Sequence, residues 1–352
     1  MNLAVFTPYR HSEVTAAALR LADLGLSSAM SVSLAAPGRI ERGVHPYWDK
    51  RVLTTKGSNP YLWAKGCEHI VWFDCQENML EKIKLVTNKK TRHWCIPIWH
   101  SLDRRLAANL WLYPNRVCPS KHISNIVNKK VFDGEDMSTW CHWDSGLNAV
   151  SRSGVVKKGF VRIYVHMDSS TIDEVGSLVL ASVRDSLDSF ENSEFTLDCD
   201  KSWPKQTRAL LKDMQLRYGA RLSICYRSGL IRQSILLHEH DWALLPSPRV
   251  SSGIIASRAL SCGTPVICFD IPPYNEMLTN GKNAMFIDCD LGLNWLGATV
   301  ALPSAFRISH TMAVLFADEK ILKKVQMADW NLAHSSVAFA KFWQTLWEVS
   351  LD

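Results

Sequence analysis

Apolar positions follow two rhythms that alternate along the first part of the chain. Leu3-Ala-Val-Phe6 is a short unbroken apolar run, and Val14, Ala17, Ala18, Leu21 and Leu24 then recur at helical spacing until Gly25. Val32–Leu34 is the next run, stopped by Pro37-Gly38. Ile70–Phe73 and Trp94–Trp99 read as strands with a helix around Met79–Val86 between them. A short strand then ends at Val117-Cys-Pro-Ser120, and a helix starts at Ser120 or Lys121. Strands that are apolar on both faces, each followed by a helix, predict a parallel sheet covered on both sides.

The rhythm breaks between Asp144 and Gly159, where Ser, Gly and Lys dominate and a linker is predicted. It then restarts with strand Val161–Val165, helix Ile172–Ser186, strand Glu194–Cys199, helix Lys205–Tyr218, strand Arg221–Tyr226, helix Arg232–His238 and strand Trp242–Leu245. From Asp329 onward, Trp330, Val337, Phe342, Leu346 and Trp347 form a strongly apolar helical pattern. The expected organisation is an N-terminal Rossmann-like domain over 1–150, a second over 151–328, and a terminal helix over 329–352 that packs back on the first. Two such domains place the carboxyl ends of their strands along one cleft.

Composition narrows the class without naming a function. The chain has 352 residues, 47% apolar and 21% charged, as in an ordinary globular protein of two domains. Its ten cysteines include no CxxC pair and no spacing suited to zinc, which is the pattern of reduced thiols in the cytoplasm. No apolar run approaches the roughly 18 residues that span a bilayer, so stable membrane insertion is not expected. The net charge of +6 suits a polyanionic partner but is also a common solubility device. Of the 14 tryptophans, Trp48, Trp63, Trp72, Trp94, Trp99, Trp111, Trp140 and Trp143 lie in the first 150 residues. Indoles there suit stacking on sugars or bases, although most tryptophans serve the core.

The most informative stretch runs from Asp241 to Asp270 and is followed by Glu276. A buried strand ends at Pro246-Ser247, a loop leads to a short helix begun near Ser252-Gly253, and a second buried strand follows Gly263. Strand, glycine-bearing loop and helix N-terminus together offer backbone N–H groups to an anion. The order Pro246-Ser247, Gly253, Cys262-Gly-Thr-Pro-Val266 and Glu276 resembles the donor-sugar signature of GT-B glycosyltransferases related to family 4. That signature carries two glutamates, at the places where this chain has Val250 and Arg258. A second feature, Ile98-Trp99-His100-Ser101 followed by Val117-Cys-Pro-Ser120, resembles the acceptor side of the same enzymes.

The resemblance implies a nucleotide-sugar donor, most commonly a uridine diphosphate sugar, and no tightly bound cofactor. It places Arg227, Gly229 and Leu230 at the base, and Ser247, Ser252, Gly253 and Ile254 at the diphosphate. His100 would lie beside the transferred sugar, where a ring titrating near neutrality can donate or accept a proton. Asp74, at the end of a strand, is a candidate base, with helix capping as its plain alternative. Arg258, where the family holds ribose with a glutamate, suits phosphate but cannot accept from hydroxyls; an exposed helix arginine is the plain alternative. Glu276 matches the family's third acidic position and would hold ribose instead. No paired carboxylates sit at a strand end to bind a metal, so none is expected.

Glycosyl transfer to an acceptor hydroxyl is the expected activity. Phage transferases that glycosylate hydroxymethylated pyrimidines in DNA are compact cytoplasmic proteins of this class. Lys89-Lys90, Arg92, Arg104-Arg105 and Lys129-Lys130 would suit a DNA backbone with an extruded base. A polysaccharide or lipid-linked acceptor, a sugar-nucleotide epimerase, and an inactive GT-B-like module that binds nucleotide or nucleic acid fit the same residues.

Overall fold

The computed structural model describes residues 2–7, 13–28, 31–35, 64–73, 77–97, 104–143, 160–199, 203–226, 230–250, 252–294, 296–317, 321 and 333–348. The Ser/Gly/Lys-rich segment expected to be the linker lies outside them. The N-terminal half builds a six-stranded sheet from β1 (Asn2–Phe6), β2 (Ser31–Ala35), β3 (His69–Phe73), β4 (Arg92–Ile96), β5 (Asn115–Cys118) and β6 (Thr139–Trp140). Its order is β2-β1-β3-β4-β5-β6 and every adjacent pair is parallel. Helices α1 (Glu13–Ser27), α2 (Glu77–Val86), α3 (Arg104–Asn109) and α4 (Lys121–Val131) connect the strands. α1 runs through Gly25 to Ser27, so that glycine does not end the helix as its residue type suggested.

The strands are apolar runs because both their faces are covered. All five residues of β3 are buried, including the large rings of Trp72 and Phe73. The polar atoms inside this sheet are paired. Trp72 Nε1 donates to His93 Nδ1 at 3.3 Å, and Trp94 Nε1 donates to His69 Nδ1 at 3.2 Å. Burial, more than the cations nearby, holds both imidazoles down at about 4, so both are neutral acceptors at physiological pH.

The C-terminal half repeats the plan with β7 (Val161–Met167), β8 (Ser193–Cys199), β9 (Leu222–Tyr226), β10 (Trp242–Leu245), β11 (Val266–Phe269) and β12 (Ala284–Ile287) in the order β12-β11-β10-β7-β8-β9. Its described helices are α5 (Ser169–Ser189), α6 (Lys205–Tyr218), α7 (Leu230–Glu239), α8 (Ile254–Ser261), α9 (Tyr274–Met277) and α10 (Ala305–Ala317). The chain builds outward from β7 to β9 and then returns to lay β10 on the other side of β7. The crevice beyond the carboxyl ends of β7 and β10 is therefore a topological switch point, where ligands bind in open α/β sheets.

Several described contacts join the halves, among them the packing of α1 against α8. The antiparallel hairpin β13 (Asp290–Leu293) and β14 (Thr299–Leu302) follows β12, and its turn residues Leu296 and Ala298 are buried with Phe6, Trp72 and Phe132 of the N-terminal half. The sequence rhythm did not reveal this hairpin, because Leu291 and Leu293 are solvent-exposed and Gly292 interrupts the strand. The last helix, α11 (Ala333–Glu348), packs on the N-terminal half: Trp343 meets Trp94 edge-on at 6.2 Å, Phe339 meets Trp143 at 5.0 Å, and Arg20 lies over the Phe339 ring. A further contact is made by Glu276 and belongs to the candidate site.

Candidate functional site

The loop after β10 and the start of α8 build a backbone cradle. Gly253 caps α8 with φ +67° and ψ 13°, the left-handed conformation that a residue with a Cβ adopts only at a cost. Gly253 has no side chain to cap the helix, and Ile254 N donates to Ser252 Oγ at 3.4 Å. Every residue of α8 is buried, so its N-terminal dipole acts in a medium of low polarity. Ser247 donates to the carbonyl of Arg249 at 2.7 Å, and Arg249 pairs with Glu174 of α5 at 3.3 Å. These two contacts fix the loop in front of the helix. A Cβ at Gly253 would lie 2.8 Å from Met277 Sδ and 3.4 Å from Pro273 Cγ. α9 therefore covers the cradle through a thioether, a side chain that moves easily between rotamers.

Arg258, one turn further along α8, is only 4% exposed, which excludes the exposed helix arginine. Its Nη1 donates to Gln233 Oε1 of α7 at 2.6 Å, while its Nε is buried without a hydrogen-bond partner. Gln233 Nε2 lies 3.5 Å from His166 Nδ1, near the end of β7. Tyr164 OH lies 3.4 Å from the same nitrogen and donates to the buried Asp198 carboxylate at 2.6 Å. Burial lowers the guanidinium to about 10, which leaves it cationic at neutral pH.

Glu276 faces the other half of the chain. Its carboxylate accepts from Lys121 N at 3.0 Å and from His122 N at 2.8 Å, the first two amides of α4, and its Oε2 lies 3.4 Å from His142 Nε2. A carboxylate at a helix N-terminus is favoured both by the unsatisfied N–H groups and by the dipole. Burial lowers the pKa of His122 and His142, and Glu276 opposes that shift in both. A contact with ribose would need this carboxylate to leave α4.

The structure thus brings Ser247, Ser252, Gly253, Ile254 and Arg258 together at the switch point of the second sheet and joins Glu276 to α4 beside them. Leu230 opens α7, with its side chain outside the described set. His100, Asp74, Arg227 and Gly229 lie outside the described residues altogether. Sequence reasoning missed His166, Gln233, Tyr164 and Met277 around the cradle, and Lys121, His122 and His142 opposite Glu276. Of these only His166 carried a signal, as a polar residue near the end of a buried strand. Trp72, Trp94 and Trp143 belong to the core, whereas Trp111 and Trp140 remain 52% and 38% exposed. Among the described residues no group of three or more His, Cys, Asp or Glu is placed to hold a metal, and no helix is long and apolar enough to cross a membrane.

No family model matches the sequence, and no curated protein matches it. Solved structures do. A glycosyltransferase from Rickettsia africae is 11% identical with a TM-score of 0.67, covering 99% of this chain and 97% of its own. The pneumococcal O-GlcNAc transferase GtfA, solved with UDP and GlcNAc, is 10% identical with a TM-score of 0.71, covering 100% and 99%. An alpha-glucosyltransferase in complex with UDP is 10% identical with a TM-score of 0.63, covering 98% and 99%; its complex with UDP and a 13-mer DNA gives 0.62. Identity this low carries the fold and not the substrate. The chain has the α/β fold of GT-B glycosyltransferases, with two parallel sheets and the cradle of its second half at the sheet's switch point.

Proposed function

We propose that the protein transfers a sugar from a nucleotide-sugar donor to an acceptor hydroxyl. The observation that carries this reading is the cradle at Gly253, a left-handed glycine that starts a fully buried helix at the switch point of the second sheet. A diphosphate there meets backbone N–H groups already oriented, so negative charge developing on the leaving group is stabilised without reorganisation. Ser247, Ser252, Gly253 and Ile254 would face the diphosphate, and Arg227, Gly229 and Leu230 the base. Glu276 would reach ribose after releasing α4. On the acceptor side His100 would move the hydroxyl proton, with Asp74 as the second candidate base. Solved neighbours that bind UDP favour a uridine diphosphate sugar.

For the acceptor, we infer a hydroxymethylated pyrimidine in DNA, as in a phage-type modifying enzyme acting in the host cytoplasm. A structural neighbour solved with DNA supports this, as do the basic pairs of the N-terminal half. The test is transfer of labelled sugar from UDP-sugars and other nucleotide-sugars to DNA carrying hydroxymethylcytosine or hydroxymethyluracil. Label in DNA establishes both donor and acceptor. Donor hydrolysis without label in DNA removes the DNA acceptor and keeps the transferase. Nucleotide binding with neither hydrolysis nor transfer makes the protein a binding module.

A further inference from the structure

The hairpin that bridges the halves leaves one strand edge open. β14 is bonded on both sides: β13 flanks it on one, and on the other Ala301 N donates to Pro248 O, in the loop after β10, at 3.1 Å. β13 has β14 on one side and, among the described residues, no strand on the other. Its four residues, Asp290-Leu-Gly-Leu293, include none of the lysine, proline or bulge that guards an exposed edge, and Leu291 and Leu293 are 57% and 72% exposed. The start of α10 lies beside it: Arg307 pairs with Asp290 at 3.2 Å, and the neighbouring Phe306 is 76% exposed. An open edge accepts another strand, and the phase of its hydrogen bonds determines which. Ala301 turns its N–H away from β13, so Leu291, opposite it, is a non-hydrogen-bonded position of the hairpin. Leu293, two residues on, shares that phase, whereas Asn294, whose N–H donates to Ala298 O at 2.9 Å, has the other. Leu291 and Leu293 therefore direct their backbone N–H and C=O groups outward, and Gly292 directs its own inward.

We propose that β13 pairs antiparallel with the same strand of a second copy of this chain, about a two-fold axis at Gly292. In this register Leu291 lies opposite Leu293 of the partner subunit, and the two exchange both N–H···O bonds; the symmetry-related pair does the same. A shift by one residue would set outward groups against inward ones, and an axis at either leucine would pair only one of the two within the strand. Gly292 then occupies the non-hydrogen-bonded position on the axis, where two strands come closest, about 4.5 Å between Cα atoms, and a residue without a Cβ suits it. The four leucines line one face, and Asp290 meets the neutral Asn294 of the partner subunit, so no like charges oppose one another. The surface is self-complementary, as a two-fold interface must be, and it joins two hairpins into one four-stranded sheet. The inference is independent of the glycosyl-transfer reading.

Sedimentation velocity of the full chain over a range of concentrations tests this, with far-UV circular dichroism to verify that each variant is folded. The wild type should form a dimer as concentration rises. Leu293→Lys places a charge on the edge and removes both leucine pairs across the axis, so the dissociation constant should rise about ten-fold or more. Adding Leu291→Glu to that variant sets opposite charges face to face across the axis and should bring the constant back to within a few-fold of the wild type. Leu216→Lys, at a leucine 77% exposed on α6, should leave the dimer unchanged. Amide hydrogen exchange gives a second readout: Leu291 and Leu293 should gain protection as concentration rises, while Gly292, bonded within the hairpin, should be protected throughout. A wild type that stays monomeric, a dimer that Leu293→Lys leaves intact, or a dimer without added protection at Leu291 and Leu293 overturns the proposal. A dimer lost in the single variant and not recovered in the double overturns the antiparallel register.

Discussion

The contact between Glu276 and α4 is a polar link between the two halves of the chain, and its removal has a calculable effect. Glu276→Ala takes the acceptor away from the amides of Lys121 and His122, bonded at 3.0 and 2.8 Å. Hydrogen bonds to a charged group contribute about 1.5–3 kcal/mol each when well shielded. The glutamate side chain is 19% exposed and both amides can be rehydrated, so the low end applies to the pair together, about 2 kcal/mol. That is about a 30-fold shift in the local opening equilibrium. Amide hydrogen exchange at Lys121 and His122 reads it directly, and both should exchange about 30-fold faster in the variant. The amide of Ile123 is an internal control, because it is held by Ser120 Oγ within the same half and should keep its protection. Glu276→Gln, which keeps an acceptor oxygen and loses the charge, should fall between the two. Equal protection of Lys121 and His122 in Glu276→Ala and wild type would refute the reasoning, since these amides would then not depend on the carboxylate. In the wild type, UDP should accelerate the same two amides if the glutamate turns to ribose when the donor binds.

The neutral buried imidazoles of His69 and His93 make the protein acid-sensitive above the carboxylate range. Each ring titrates near 6.5 when unfolded and at about 4 when folded, so the unfolded state alone binds protons between those values. Stability is therefore full above pH 6.5 and is lost as pH falls toward 4, by at most about 3 kcal/mol per ring. Urea midpoints across this range should show the loss, and His69→Gln with His93→Gln should flatten it. Gly253→Ala should cost about 1–2 kcal/mol for the left-handed backbone alone, in addition to the 2.8 Å clash with Met277. Met277→Ala in the same chain should relieve only the clash, so a full recovery of the melting temperature would refute a backbone cost. Trp343→Ala should destabilise by about 3–5 kcal/mol in urea titration, because the ring is fully buried against Trp94 and Trp143. Val337→Ala on the exposed face of the same helix should stay within about 0.5 kcal/mol.

Much of the fold was legible in the sequence because parallel strands buried on both faces leave short apolar runs that helical spacing cannot imitate. Helix α6 (Lys205–Tyr218) and strand β10 (Trp242–Leu245) have the boundaries that the residue pattern predicts. The β13–β14 hairpin was not legible, since its stability comes from a turn inserted into the other half and not from its own exposed leucines. The left-handed turn at Gly253 was legible for the opposite reason: a glycine at a strand–loop–helix junction is a local requirement of the backbone.

Side-chain partnerships across elements carry no such local mark, and they change the meaning of the two charged residues in the signature. Read along the chain, Arg258 and Glu276 are a substitution and its replacement, one residue taking over ribose from the other. In the folded protein neither is available for that exchange as it stands: Arg258 is held by Gln233 on a neighbouring helix, and Glu276 is engaged with α4 more than 150 residues earlier in the chain. The charge inversion at position 258 therefore cannot be weighed as the loss of one contact. It turns a position that accepts hydrogen bonds into a buried donor held by Gln233. The glutamate, meanwhile, holds the start of α4 against the second half, so that under the glycosyl-transfer reading a turn toward ribose would release this contact between the halves.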